Sequence, residues 1–228
     1  MSPLLAAVAA AALVAGALAV ARRRPRSLHP LLPTRYDFGK RRDTFRAALR
    51  LAEARGARTL VETGSARGGL GATRREGAST IVFATWARLH GAVLHSVDLD
   101  PASVEAARRA VTELGLQEHV RFHVGDSVAF LAAFEGPVDL LYLDSYDYDR
   151  KNPAVQRASQ SHHLREYEAV ERRLHNGSVV LIDDCRLPGG GKGKLVIEAM
   201  LARGWRMARR GYQVLLVRRD EGGGRRRG

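Results

Sequence analysis

Cysteine is all but missing: Cys185 stands alone among 228 residues. No intrachain disulfide is possible, which suits a reducing compartment and leaves noncovalent packing to hold the fold. Aromatic residues are also scarce, at 6%. A nucleic-acid surface interleaves aromatics with its basic residues, so the scarcity argues against that partner despite a formal net charge of +13. The charge collects in short clusters: Arg22, Arg23, Arg24 and Arg26; Lys40, Arg41 and Arg42; and Arg225, Arg226 and Arg227 behind a glycine run. Such clusters read as solvated or membrane-surface contacts. A dinucleotide G-x-G-x-x-G is absent too, because Ala66 stands where its middle glycine would be, which disfavours a dehydrogenase.

What is present begins with an uncharged run at 4–21, LLAAVAAAALVAGALAVA, about long enough to cross a bilayer as a helix. A signal peptide is the rival reading, since 19–21 offers an A-x-A cleavage site, but its positive charge should precede the run. Here the arginines follow it directly, and the positive-inside rule then leaves the rest of the chain in the cytoplasm. The expectation is a membrane anchor, a transmembrane helix within 1–24, with a cytoplasmic domain behind it; a cleaved signal or a soluble cytoplasmic chain are the alternatives. Residues 25–58 read as a proline-bearing linker and an amphipathic leading helix at 43–55, and 220–228 as a basic Gly/Arg tail.

Between them, 59–219 alternates short apolar runs with helical stretches. Strands are expected at 59–62, 92–98, 120–124, 138–143, 178–182 and 213–218. Helices are expected at 79–90, 101–114, 127–133, 162–174 and 194–203, with Ser79 or Thr80 as the N-cap of the first. Apolar strands spaced this way imply parallel pairing through crossover helices: an α/β, Rossmann-like, doubly wound and mostly parallel sheet with helices on both faces.

The first strand runs into Glu62-Thr63-Gly64-Ser65-Ala66-Arg67-Gly68, and glycines at a strand-to-helix turn let a ligand approach the backbone closely. The second strand, LHSVDLDP, ends on Asp98, where an acid accepts hydrogen bonds from ribose hydroxyls. The third, RFHVGDS, brings Asp126 to where it can meet an adenine amino group. The fourth ends LYLDSYDYD and the fifth VVLIDDC, so Asp144, Asp183 and Asp184 converge on the carboxyl edge of the sheet. Acids that close repel unless protons or a cation intervene. Oxygen ligands of this kind suit Mg²⁺, Ca²⁺ or Mn²⁺, while pairing with the abundant arginines is the plainer alternative. GGGKGK at 189–194 lacks the Ser/Thr and the position of a phosphate loop.

In this order the elements resemble the class I S-adenosylmethionine-dependent methyltransferases over roughly 60–218. The resemblance implies a cofactor site of Glu62, Gly64, Ser65, Gly68, Asp98 and Asp126. The acids after strands four and five resemble those of metal-dependent O-methyltransferases, both the catechol type and the type acting on natural-product sugars. That implies a divalent cation, Mg²⁺ foremost, on Asp144, Asp183 and Asp184, activating a hydroxyl of a small-molecule acceptor. The lysine that the catechol type carries three residues after its first Asp is Asp147 here, so His162 or His163 joins Asp144 as a catalytic candidate. Tyr146 and Tyr148 either line the acceptor pocket or pack. An RNA or protein methyltransferase using the basic surface, and a non-catalytic module of the same fold at a membrane, are the rival functions.

Overall fold

The computed structural model describes residues 26–218. Seven strands form one sheet in the order β3-β2-β1-β4-β5-β7-β6. They are β1 (Thr59–Thr63), β2 (Val93–Asp98), β3 (Val120–Val124), β4 (Val138–Leu143), β5 (Leu174–Ile182), β6 (Trp205–Arg210) and β7 (Val214–Arg218). The first five pair in parallel, and β7 runs antiparallel to both β5 and β6. The helices are α1 (Arg42–Ala54), α2 (Ser79–His90), α3 (Pro101–Glu113), α4 (Ser127–Ala133), α5 (Pro153–Val170) and α6 (Lys194–Ala202), besides shorter turns.

The central strands carry apolar residues on both faces, as Leu60-Val61, Leu140–Leu143 and Val179–Ile182 do, because both faces are covered. Side chains alternate across a strand, and in β4 Leu140 and Tyr142 enter the core under α1 and α2, while Leu141 and Leu143 enter the core under α5 and α6. The α2 stretch STIVFATWARLH is buried from Ser79 to Ala87, as a helix apolar on nearly all sides should be. The order 3-2-1-4-5 reverses between β1 and β4, and ligands of open α/β sheets bind outside the carboxyl ends at such a reversal.

Several expectations are corrected. The transmembrane helix is not found: among the described residues no helix is long and apolar enough to cross a membrane, and the run 4–21 itself lies outside them. Leu28, Leu32 and Phe38 are buried, so part of the expected linker packs on the core. Neither Ser79 nor Thr80 caps α2; the cap is Ala78, in a left-handed conformation at φ 48°, and Thr80 is used elsewhere. Helix α5 starts at Pro153, nine residues before the expected 162, with Asn152 accepting hydrogen bonds from the Ala154 and Val155 amides.

Candidate functional site

Gly64 follows β1 at φ +86°, and a Cβ there would lie 2.5 Å from the Asp144 carbonyl oxygen. The ends of β1 and β4 touch backbone to backbone, which only glycine permits. The next residues are fixed from below by Glu62, which is fully buried. Its Oε1 accepts from Thr80 Oγ1 at 2.5 Å and from Ser96 Oγ at 2.7 Å. Thr80 Oγ1 in turn accepts the Ala66 amide at 2.8 Å, and Ser96 Oγ lies 2.8 Å from Ser65 Oγ. Asp98 completes the turn, accepting the Ser65 amide through Oδ2 and the Asp100 amide through Oδ1, each at 2.9 Å. Asp126 caps α4 by accepting the Ala129 amide at 2.8 Å.

This turn opens on a cleft of about 560 Å³, walled by Gly64, Ser65, Asp98 and Asp126 on one side and by Asp144, Tyr146, His162, Asp184 and Lys192 on the other. Four site candidates do not line it: Glu62 and Gly68, which shape the turn, and the fully buried His163 and Asp183. A Cβ on Gly68 would meet Ala72 Cβ at 2.4 Å. His163 is fully buried, its Nδ1 2.7 Å from the Ser159 carbonyl, and burial pulls it down to about 4. His162 does face the cleft, with Nε2 3.0 Å from Ser127 Oγ and its ring 5.4 Å from that of Tyr146. Tyr148 packs instead, donating to the Pro188 carbonyl.

The acids of β4 and β5 converge as the sequence implied, and two cations sit among them. Arg41, only 4% exposed, donates Nε to Asp183 Oδ2 at 2.6 Å and reaches Asp184 Oδ1 at 3.4 Å. Lys192, also 4% exposed, donates Nζ to Asp144 Oδ1 at 2.7 Å and lies 3.6 Å from Asp184 Oδ2. Tyr142 adds a donor to Asp183 Oδ2 at 2.6 Å, and burial beside Asp144 and Asp183 keeps its hydroxyl protonated. Burial pushes the Asp144 carboxyl up, while the Lys192 ammonium pulls it back. Asp184 adopts φ 53°, a left-handed conformation that an Asp tolerates better than most residues.

Residues 74–185 match a family model described as a methyltransferase domain. Over that segment the chain is similar to methyltransferase domains, and its sheet is the Rossmann-like one of the class I fold. Its fold is shared with a methyltransferase from Geobacter sulfurreducens (22% identity, 78% of each chain covered, TM-score 0.52). It is shared too with the S-adenosylhomocysteine-bound methyltransferase PaMTH1 from Podospora anserina (14% identity, 78% of this chain and 79% of that one, TM-score 0.57). The third is the O-methyltransferase TomG from Streptomyces achromogenes, involved in tomaymycin synthesis and solved with S-adenosylmethionine (18% identity, 80% and 83% covered, TM-score 0.51). No curated protein matches the chain.

The turn has the groups expected of an S-adenosylmethionine site: the cofactor would be held by the Gly64 cradle, the half-buried Asp98 carboxylate at the end of β2, and Asp126 beyond it. The residues do not fit a divalent cation equally well. Among the described residues no group of three or more His, Cys, Asp or Glu side chains is arranged to hold one, because Arg41 and Lys192 already stand between the acids. Both were hidden in the sequence. Arg41 sits in a basic cluster that reads as solvated, and Lys192 in a glycine run with no phosphate-loop signature. The one pointer to them was the rule that three neighbouring acids need compensating charge.

Glu62 gives a test of the turn. Burial raises its carboxyl from 4.5 to about 7, and its Oε2 has no partner. A raised carboxyl stabilises the fold fully below its unfolded value and loses that contribution as pH rises through the folded one. Between pH 4.5 and 8 the protein should therefore lose about 3 kcal/mol that a Glu62→Gln variant keeps. Urea denaturation of both forms at pH 5 and pH 8 checks it; parallel pH profiles would show that Glu62 ionises freely in the fold.

Proposed function

We propose that this methyltransferase domain transfers its methyl group to an oxygen of a small acceptor. The observation that supports this reading is one cleft that joins the Gly64–Asp98 turn to a polar far wall of Asp144, Lys192 and His162. Bound S-adenosylmethionine supplies a methyl carbon made electrophilic by its sulfonium. Ser65 and Asp98 would hold the ribose side of that group, with Asp126 at the adenine. Asp144 takes the proton of the acceptor hydroxyl, so that the oxygen–carbon bond forms as the carbon–sulfur bond breaks and its electron pair stays on sulfur. His162 and Tyr146 set the acceptor's orientation, and alignment of this kind supplies much of the rate in a displacement. Metal assistance is not carried into this reading, since the acids are already paired.

Screening small phenols, acids and sugars with methyl-labelled S-adenosylmethionine tests the proposal; a pool in which label enters only nitrogen or carbon acceptors overturns it. Asp98→Ala should weaken S-adenosylmethionine binding by about 1.5–3 kcal/mol, the value of hydrogen bonds to a charged group, which is roughly 10- to 150-fold in Kd by calorimetry. An unchanged Kd would remove Asp98 from the cofactor site.

A further inference from the structure

We propose that the Lys192 ammonium takes the place of a divalent cation at the acceptor end of the cleft: the protein binds no metal ion there, and its acceptors are hydroxyls already acidic, phenols or carboxylic acids, rather than sugar alcohols. The inference rests on the O-methyltransferase reading above and names its substrate class.

Both oxygens of Asp183 are already committed to donors. Its Oδ2 accepts from both Arg41 Nε and Tyr142 Oη, each at 2.6 Å, and its Oδ1 accepts the Asp184 amide at 2.6 Å. Asp144 and Asp184 share Lys192 at 2.7 and 3.6 Å. A divalent ion entering among them would displace an ammonium that is 4% exposed and strand it without a counter-ion, which is strongly unfavourable in a buried site.

The lysine is held by construction. A Cβ on Gly191 (φ +65°) would lie 2.0 Å from the Asp184 carbonyl, and one on Gly193 2.6 Å from Cys185 Sγ. The two glycines thus let the loop press against the end of β5. Gln160 Nε2 on α5 then donates to the Gly189 and Gly191 carbonyls at 3.0 and 3.1 Å. The loop is pinned from both sides, and Lys192 faces the cleft between Asp144 and Asp184.

Acceptor chemistry follows from charge. A metal dication can bring bound water from a pKa of about 16 to about 7. A single ammonium, half neutralised by Asp144, moves a hydroxyl far less. An alcohol would stay protonated beside it, whereas a phenol, with a pKa of about 10, is acidic enough to yield its proton to Asp144 and a carboxylic acid arrives as the anion, and the ammonium then holds the oxyanion.

The test is titration of MnCl₂ into the full chain saturated with S-adenosylhomocysteine, followed by calorimetry and manganese paramagnetic resonance, for the wild type and for Lys192→Ala and Lys192→Met. The wild type should show no binding at roughly millimolar Mn²⁺, and either variant, with Asp144 and Asp184 released, should bind at least about tenfold tighter. Wild-type binding at micromolar Mn²⁺ overturns the proposal. So does a variant that stays folded, by circular dichroism, and gains no site. In parallel, label transfer in excess chelator should reach a phenol or acid at least about a hundredfold faster than a sugar alcohol, and equal rates overturn the acceptor class. If S-adenosylhomocysteine itself fails to bind the wild type, the methyltransferase reading falls, while the manganese result still decides the cation's place.

Discussion

Gly64→Ala should be among the most damaging single-methyl substitutions in the protein, costing roughly 3 kcal/mol or more, from about 1–2 for a left-handed non-glycine residue and about 1–3 for overpacking. Both causes act at once: φ is +86°, and the new methyl would sit 2.5 Å from the Asp144 carbonyl oxygen and 3.0 Å from Ser145 Cα. Nothing flexible is there to give way, because the obstruction is the backbone of the next strand end. The Asp144 amide also donates to the Thr63 carbonyl at 3.0 Å and the Gly64 amide to the Val97 carbonyl at 2.8 Å, so the turn cannot swing aside without losing sheet hydrogen bonds. In a chain of this size the loss should lower Tm by roughly 10 °C, and S-adenosylmethionine affinity should fall with it as the β1 and β4 ends part. Scanning calorimetry with and without cofactor measures both. A Tm within a degree or two of the wild type would mean that the two strand ends are further apart than the structure places them.

Arg41→Met is the second large effect. It leaves Asp183, which has no exposure at all, without its cation, and removing one partner of a buried pair costs about 3–5 kcal/mol. Tyr142 and the Asp184 amide still donate to the carboxylate, so the lower half of that range is expected. Asp183→Asn made in the same background should restore part of the loss, because the neutral amide no longer needs the guanidinium. Urea denaturation of the two single variants and the double should show a coupling of about 1–3 kcal/mol, as pairs in direct contact do. Strictly additive losses would mean that Arg41 stabilises through its stacking 4.7 Å over Tyr212 and its hydrogen bond to the Arg75 carbonyl, and that the ion pair contributes nothing.

The sheet was legible wherever a strand carries enough apolar residues to stand out, as LLYL does in β4, and β1, β3 and β4 fall within a residue of where they were expected. Strand β6 was not legible. Its sequence WRMARR buries only Trp205 fully and leaves four arginine or alanine positions exposed, so an edge strand offers no apolar period to read. The first nine residues of α5 were missed for a related reason: PAVQRASQS carries little apolar signal, and its start is set by Asn152 and Pro153, a cap that the histidines further along outshone. In the site, acids at strand ends were legible because a strand's end fixes where its next residue points. Their partners were not, because Arg41 is 142 positions from Asp183 and Lys192 is 48 from Asp144, and no local pattern records such a meeting. Glu62 stood out as a strand-end acid beside the glycines, but its contacts with Thr80 and Ser96 had no local pattern to announce them.

The clamp of Gln160 on the Gly189 and Gly191 carbonyls limits how this domain can be re-engineered. His162 stands two residues from Gln160 on the same helix, so the wall that would select an acceptor and the loop that delivers the ammonium form one mechanical part. Exchanging α5 alone for that of another methyltransferase would import a new acceptor preference and at the same time unfasten Lys192. A working chimaera has to carry 145–170 and 186–194 together, as a single cassette.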